Sequence, residues 1–246
     1  MDNRELWLAE AMVELADTGS AGFDEAACTR CLAMRLAELL DPAEVAVLIA
    51  DGSGCLTAAA ASTGRALDLA SFEGSHGEGP GTRCYRSARS VLNESVTATT
   101  ARWPRFAAAA RAAGFAVVSS LPMRHHEETI GVVSVLGPDG YQVGDPETGL
   151  AQVLAEAAAI AILKQRVLRQ NARTAEQLRH ALDSRVLIEQ AKGIVAARLG
   201  IAPAAAFEIL RRYARRRNRT LIDVACATIR GELPVNDPAT APRARP

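Results

Sequence analysis

The chain has 246 residues, 49% of them apolar, enough for one or two domains with sizeable cores. Its formal net charge is zero, yet residues 164–230 hold 15 Lys+Arg against 5 Asp+Glu, a net +10 balanced by −10 in the remainder. Only the second part suits a polyanionic partner; five cysteines without a signal peptide point to free thiols in a reducing cytoplasm, and no apolar run approaches the roughly 20 residues of a bilayer span.

Taken in order, Arg4–Ala16 has the spacing of an amphipathic helix, with Leu8, Met12 and Leu15 on one face and Leu6, Ala9, Val13 and Ala16 beside it. Asp24–Leu40 is a second helix, with Asp24 as N-cap and Pro42 past its end. Cys28 and Cys31 fall on it at i and i+3; with no second pair to complete a zinc site, packing is the expected role. Strands are expected over Glu44–Ala50 and Leu56–Ser62, joined by the hairpin turn Asp51-Gly52-Ser53-Gly54. Ala66–Phe72 follows as a short helix, then Gly74–Gly81 as a glycine-rich loop. That loop lacks the Lys-Ser/Thr ending of a P-loop, which argues against nucleotide hydrolysis. Val91–Asn93 is a brief strand, Trp103 opens an alanine-rich helix to Ala113, and Phe115–Met123 pairs with Thr129–Leu136 across a turn at His125–Glu128. A closing helix begins at Asp145. The order implies an α+β fold, an antiparallel sheet flanked by helices.

Leu150–Leu182 is a continuous helical pattern in which Leu154, Ala161, Leu168, Ala175 and Leu182 repeat every seven residues. Lys164 and Asn171 at companion positions weaken an isolated coiled coil but allow a two-helix seam between subunits, so a homodimer is expected. The helix either carries a signal or is a rigid spacer.

In Ser184–Gly200 the residues Leu187, Ile188, Ala191, Ile194, Val195 and Leu199 form one apolar stripe, while Arg185, Glu189 and Lys192 share a solvent-facing strip. Gly193 lies inside this helix at a cost of about 1 kcal/mol relative to alanine, either for tight packing on a neighbouring helix or for close approach of a ligand to the backbone. Pro203 starts the next helix, with Phe207, Leu210 and Ala214 as core stripe and Arg211, Arg212 and Arg215 pointing away. A basic turn, Arg216-Arg217-Asn218-Arg219, precedes a capping-box spacing of Thr220 and Asp223 that opens a third helix, ended by Gly231 and Pro234. Residues past Val235 have the composition of a disordered tail.

The runs SRVLIEQAKGIVAARLGI and AAFEILRRYARRRNRTLIDVA resemble the ANTAR domain, an RNA-binding module of bacterial transcription antiterminators. GEGP, RWPRFAAAARAAGFAVVSSLPMR and IGVVSVLG resemble the GAF half of GAF–ANTAR regulators, GAF being a small-molecule sensor domain. Many relatives carry cysteine directly after GEGP, where this chain has Gly81. The resemblance implies a GAF sensor domain with its N-terminal helix over 1–163, a helical linker over 164–176, a three-helix ANTAR domain over 177–231 and a tail over 232–246. It also implies binding of stem-loops in leader transcripts, which prevents terminator formation, with the RNA polymerase complex as an indirect partner. RNA contacts are assigned to Arg185, Lys192, Gly193, Arg211, Arg215 and Asn218, joined into one surface by helix packing through Ile188, Val195, Phe207 and Leu210. An unidentified small molecule is placed near the Gly77–Gly81 loop, against Cys84, Trp103, Arg105 and Phe106. From the residues alone a DNA-reading three-helix unit stays open, and the GAF resemblance leaves a cysteine-dependent free methionine sulfoxide reductase as a second alternative. Nothing in the spacing defines a catalytic group, and His76, His125, His126 and His180 have no metal-ligand spacing, so neither enzyme, metal nor cofactor is expected.

Overall fold

The computed structural model describes residues 3–16 and 24–232, which divide into two compact units between Leu168 and Arg169. The tail expected past Val235 lies outside the described residues.

In the first unit, α1 (Asn3–Ala16) and α2 (Glu25–Leu39) precede a hairpin of β1 (Glu44–Ala50) and β2 (Leu56–Ala61). The Asp24 carboxylate accepts the Ala26 N–H at 3.1 Å and so caps α2. Then come α3 (Gly64–His76), α4 (Pro80–Ser87), β3 (Val91–Ser95), a 3-10 turn at Ala98–Ala101 and α5 (Pro104–Ala112). Two long strands, β4 (Val117–His125) and β5 (Glu128–Gly137), lead to α6 (Asp145–Leu199). The sheet is antiparallel in the order β2-β1-β5-β4-β3.

Strand β1 shows why helices cover both faces. Its residues are buried from Val45 to Ala50, so alternation sends Val45, Val47 and Ile49 to one core and Ala46, Leu48 and Ala50 to the other. The first core is closed by Leu15 of α1, Leu32 and Leu36 of α2, and Leu154, Ala158 and Ile162 of α6. The second is closed by Leu69 of α3, Cys84 of α4 and Phe106 and Ala110 of α5. This is the α+β arrangement expected from the element order.

Two expectations change here. The Gly74–Gly81 stretch is not a loop throughout: Gly74 lies within α3, where a β-carbon would sit 2.5 Å from the Leu56 carbonyl oxygen, and Pro80 and Gly81 begin α4. Alpha helix α4 was hidden because its sequence, PGTRCYRS, combines a proline and a glycine with no apolar stripe long enough to register. Leu154 and Ala161 belong to the first core, not to a surface seam. One window of α6 is, by length and composition, apolar enough to cross a membrane. Its apolar content is explained by Leu154, Ala155, Ala158, Ala159 and Ile162, all buried against the sheet.

In the second unit, the end of α6 packs with α7 (Pro203–Arg216) and α8 (Leu221–Ile229). The core comprises Ala191, Val195, Ala206, Ile209, Leu210, Ala214, Val224 and Ala225. Small residues let three short helices approach closely, which compensates for the limited area so few residues can bury. Phe207 is only half-buried; Ala206 and Ile209 take the core positions instead. Thr220 caps α8 by accepting the Asp223 N–H at 3.2 Å, as the spacing predicted.

Candidate functional site

Two residues past the end of α7 comes Asn218, whose φ of 50° is left-handed, a conformation asparagine tolerates better than most residues. The Arg219 N–H donates to the Ala214 carbonyl at 3.0 Å across this turn. The turn brings Asn218, Arg219 and Leu221 beside Arg211 and Arg215, around a cleft of about 710 Å³ that Phe207 also lines. Arg211 pairs with Glu208 at 3.6 Å, one turn back on an exposed face, which orients the guanidinium without neutralising the cleft. Arg215 has no ion pair among the described residues. The cleft therefore offers cationic forks for phosphate, an aromatic side chain for a base, and an amide for a base edge.

Of the six residues assigned to RNA, three (Arg211, Arg215 and Asn218) meet in this cleft. Arg185 lines a separate depression with Leu182, Val186, Glu189 and Gln190. Lys192 is partly buried and ion-paired with Glu189 one turn earlier. Gly193 is exposed, and a β-carbon there would meet nothing within 4 Å. Tight helix packing thus does not explain this glycine. Arg219 and Phe207 were missed as cleft residues; an arginine following a left-handed Asn, and an aromatic four residues before Arg211, were the available signals.

In the first unit a second pocket of about 410 Å³ opens between α4 and the end of the 3-10 turn, lined by Gly77, Glu78, Gly79, Thr82, Arg83, Arg86, Arg102 and Trp103. Of the four residues expected here, Trp103 alone lines it. Cys84 and Phe106 are core residues, because α4 turns its Cys84 face to the sheet. Arg105 is exposed, and its backbone N–H donates to the Glu78 carboxylate at 2.9 Å at the start of α5.

Beneath this pocket lies Glu73, a carboxyl group only 2% exposed. It accepts the Thr82 N–H at 2.8 Å and a Gly81 N–H, capping α4 from a neighbouring helix. Burial pushes its pKa up to about 7 despite those bonds. A β-carbon at Gly79 would run into the Glu73 carboxyl, and Gly79 has φ 155°. A β-carbon at Gly81 would lie 3.0 Å from it. The glycines of this segment thus make room for a buried carboxyl group.

Burial pushes the Cys84 and Cys28 thiols up to about 12, with the Glu73 charge adding to the first and Cys31 to the second. Neither is a thiolate near neutral pH, as a thiol enzyme would need. Among the described residues no three His, Cys, Asp or Glu side chains are grouped to hold a metal.

An antiparallel sheet between helical layers, followed by a basic three-helix unit, defines a two-part protein of the sensor-and-effector class. A GAF-domain model matches residues 24–163 and an ANTAR-domain model residues 176–229; the chain belongs to the GAF-domain family, in the domain order of GAF–ANTAR regulators. Among solved structures, the GAF domain of a phosphoenolpyruvate-protein phosphotransferase from Acinetobacter covers 68% of this chain and 97% of its own, at 11% identity and TM-score 0.53. The GAF domain of a phosphoenolpyruvate-protein phosphotransferase from Coxiella burnetii covers 67% and 98%, at 13% identity and TM-score 0.51. These likenesses show the fold alone. No curated protein matches the chain. The pairing marks a regulator that joins a sensor domain to an RNA-binding antitermination domain.

Proposed function

We propose that this chain is a cytoplasmic, ligand-responsive antiterminator: its second unit binds stem-loops in leader transcripts and prevents terminator formation, acting on the RNA polymerase complex only indirectly. The observation that carries it is the cleft that Arg211, Arg215, Asn218 and Arg219 line together with Phe207, within a segment of net charge +10. Single-stranded loops expose both phosphates and unstacked bases to such a surface, whereas a duplex presents only its grooves. Arg185, Lys192 and Gly193 extend the surface along α6. The sensor occupies residues 1–163, a linker 164–176 and the RNA-binding domain 177–231. A homodimer is favoured by apolar side chains on α6: Val153, Ile160 and Val167 in the first unit, and Leu178, Leu182 and Val186 in the second, are all exposed.

The test is the salt dependence of binding to a hairpin-bearing leader RNA. Each single-strand phosphate neutralised contributes about −0.7 to the slope of log K against log salt. Arg211→Ala and Lys192→Ala should each flatten that slope and weaken binding to every RNA. Asn218→Ala, if it loses a base contact, should instead lower discrimination between loop sequences by roughly 1–3 kcal/mol. If Arg211→Ala and Lys192→Ala fold and bind as tightly as the parent chain, the surface is misplaced.

A further inference from the structure

We infer that the pocket between α4 and Trp103 is a binding site for a small organic anion, a phosphate or carboxylate carried on a flat or apolar body. The inference rests on reading the first unit as a small-molecule sensor, and adds the chemical class of what it senses. Three features of the pocket point to it.

The first is charge against background. Residues 1–163 carry 11 Lys+Arg against 21 Asp+Glu, an acidic domain that repels polyanions. Within it, three arginines converge on one pocket: Arg83 and Arg86 from α4, and Arg102 from the turn before α5. Arg83 and Arg86 stand at i and i+3 on a helix of 8 residues, where like charges destabilise each other. Neither has an ion pair among the described residues.

The second is that the acidic groups nearby are already committed. Glu78 turns its carboxylate to the Arg105 N–H at the start of α5. Glu94 meets Arg102 at 3.3 Å. Glu73, underneath, holds the α4 N–H groups and so removes the helix terminus as an anion site. Glu78 keeps its charge while it accepts the Arg105 N–H, so two carboxylates, Glu78 and Glu94, stand against three arginines, and the surplus positive charge sits at Arg83 and Arg86.

The third is shape. A cavity of about 410 Å³ falls within the range that holds small ligands. Trp103 supplies an apolar wall, and Arg102 lies over its ring with the guanidinium carbon 5.0 Å from the ring centre, fixing both groups. A guanidinium fork beside an aromatic wall fits an anion with a flat body better than a bare ion or an uncharged molecule.

Isothermal titration of the full chain with phenyl phosphate, inorganic phosphate and phenol separates these contributions. Saturable phenyl phosphate binding is expected, weakened by salt, with phosphate weaker and phenol at least about tenfold weaker. The double variant Arg83→Gln/Arg86→Gln changes two exposed side chains and relieves their repulsion, so it should fold, and should lose at least about tenfold in phenyl phosphate affinity. No saturation at millimolar phenyl phosphate, equal binding of phenol, or an unchanged double variant would overturn the site. Displacement of phenyl phosphate by the leader RNA, with weaker RNA binding by the double variant, would overturn it in favour of an RNA contact. Substitutions at Arg211 and Lys192 test the RNA surface separately, so failure of either idea leaves the other distinguishable.

Discussion

Replacing Glu73 by glutamine gives a direct measure of how the α3–α4 junction is built. In the folded chain the carboxyl titrates at about 7, against an ordinary value of 4.5, because burial disfavours its charge more than the Thr82 and Gly81 N–H groups favour it. A group whose folded pKa is raised keeps its full contribution below 4.5 and loses it as pH rises towards 7. At about 1.4 kcal/mol per pH unit, the loss across that window is about 3 kcal/mol. For a domain of this size that corresponds to roughly 6–12 °C in Tm. Both tryptophans, Trp7 and Trp103, lie in the first unit, so urea unfolding followed by tryptophan fluorescence reports on it. The parent chain should lose stability between pH 4.5 and about 7. Glu73→Gln should lack that component, because its amide oxygen can still accept the Thr82 N–H at every pH. Loss of the Gly81 bond adds an offset that does not depend on pH, so the difference in slope is the readout. Parallel pH profiles for the two proteins would refute the raised pKa and with it the claim that desolvation outweighs capping here.

Two further outcomes are expected. Gly193→Ala adds a methyl group into open space, so it should strengthen α6 by about 1 kcal/mol and slow amide exchange around it about fivefold. If the variant nevertheless binds leader RNA less well, the glycine serves close approach of the RNA; unchanged binding rejects that role. Val167→Asp with Leu178→Asp places charge at side chains that are 58% and 62% exposed, so it should weaken self-association without unfolding either unit. A light-scattering mass of one chain for the parent protein at micromolar concentration rejects the dimer.

The helical unit was the most legible part of the sequence because its signals are local. The stripe of Ala191 and Val195, the Thr220 cap and the Gly231 stop all depend on residues within one or two turns of each other. The misjudged residue there, Phe207, was an aromatic at a position where periodicity allows either burial or a cleft edge. Only the packing of α7 on Ala191 decides between them, by giving the inner positions to Ala206 and Ile209. The long strands were legible for the same reason, since period-two burial and a tight turn are local properties of the chain.

The sensor pocket was legible only as a neighbourhood, and the reason lies in what its glycines do. Gly79 and Gly81 look like loop formers from their own residues. Their function depends on a carboxyl group that α3 brings to them, which local spacing cannot reveal. Once Glu73 caps α4 from below, the helix must turn Cys84 towards the sheet, and Arg83 and Arg86 then face outward on the opposite side. The expected ligand residue Cys84 and the overlooked Arg83 are neighbours in sequence, and one buried carboxylate determines which of them reaches the pocket. A helix that began one residue later would set Cys84 in the place of Arg83 and Tyr85 in that of Cys84. The arginines supply the charge, and the register of α4 decides that Arg83 and Arg86, and not Cys84, bring it to the pocket.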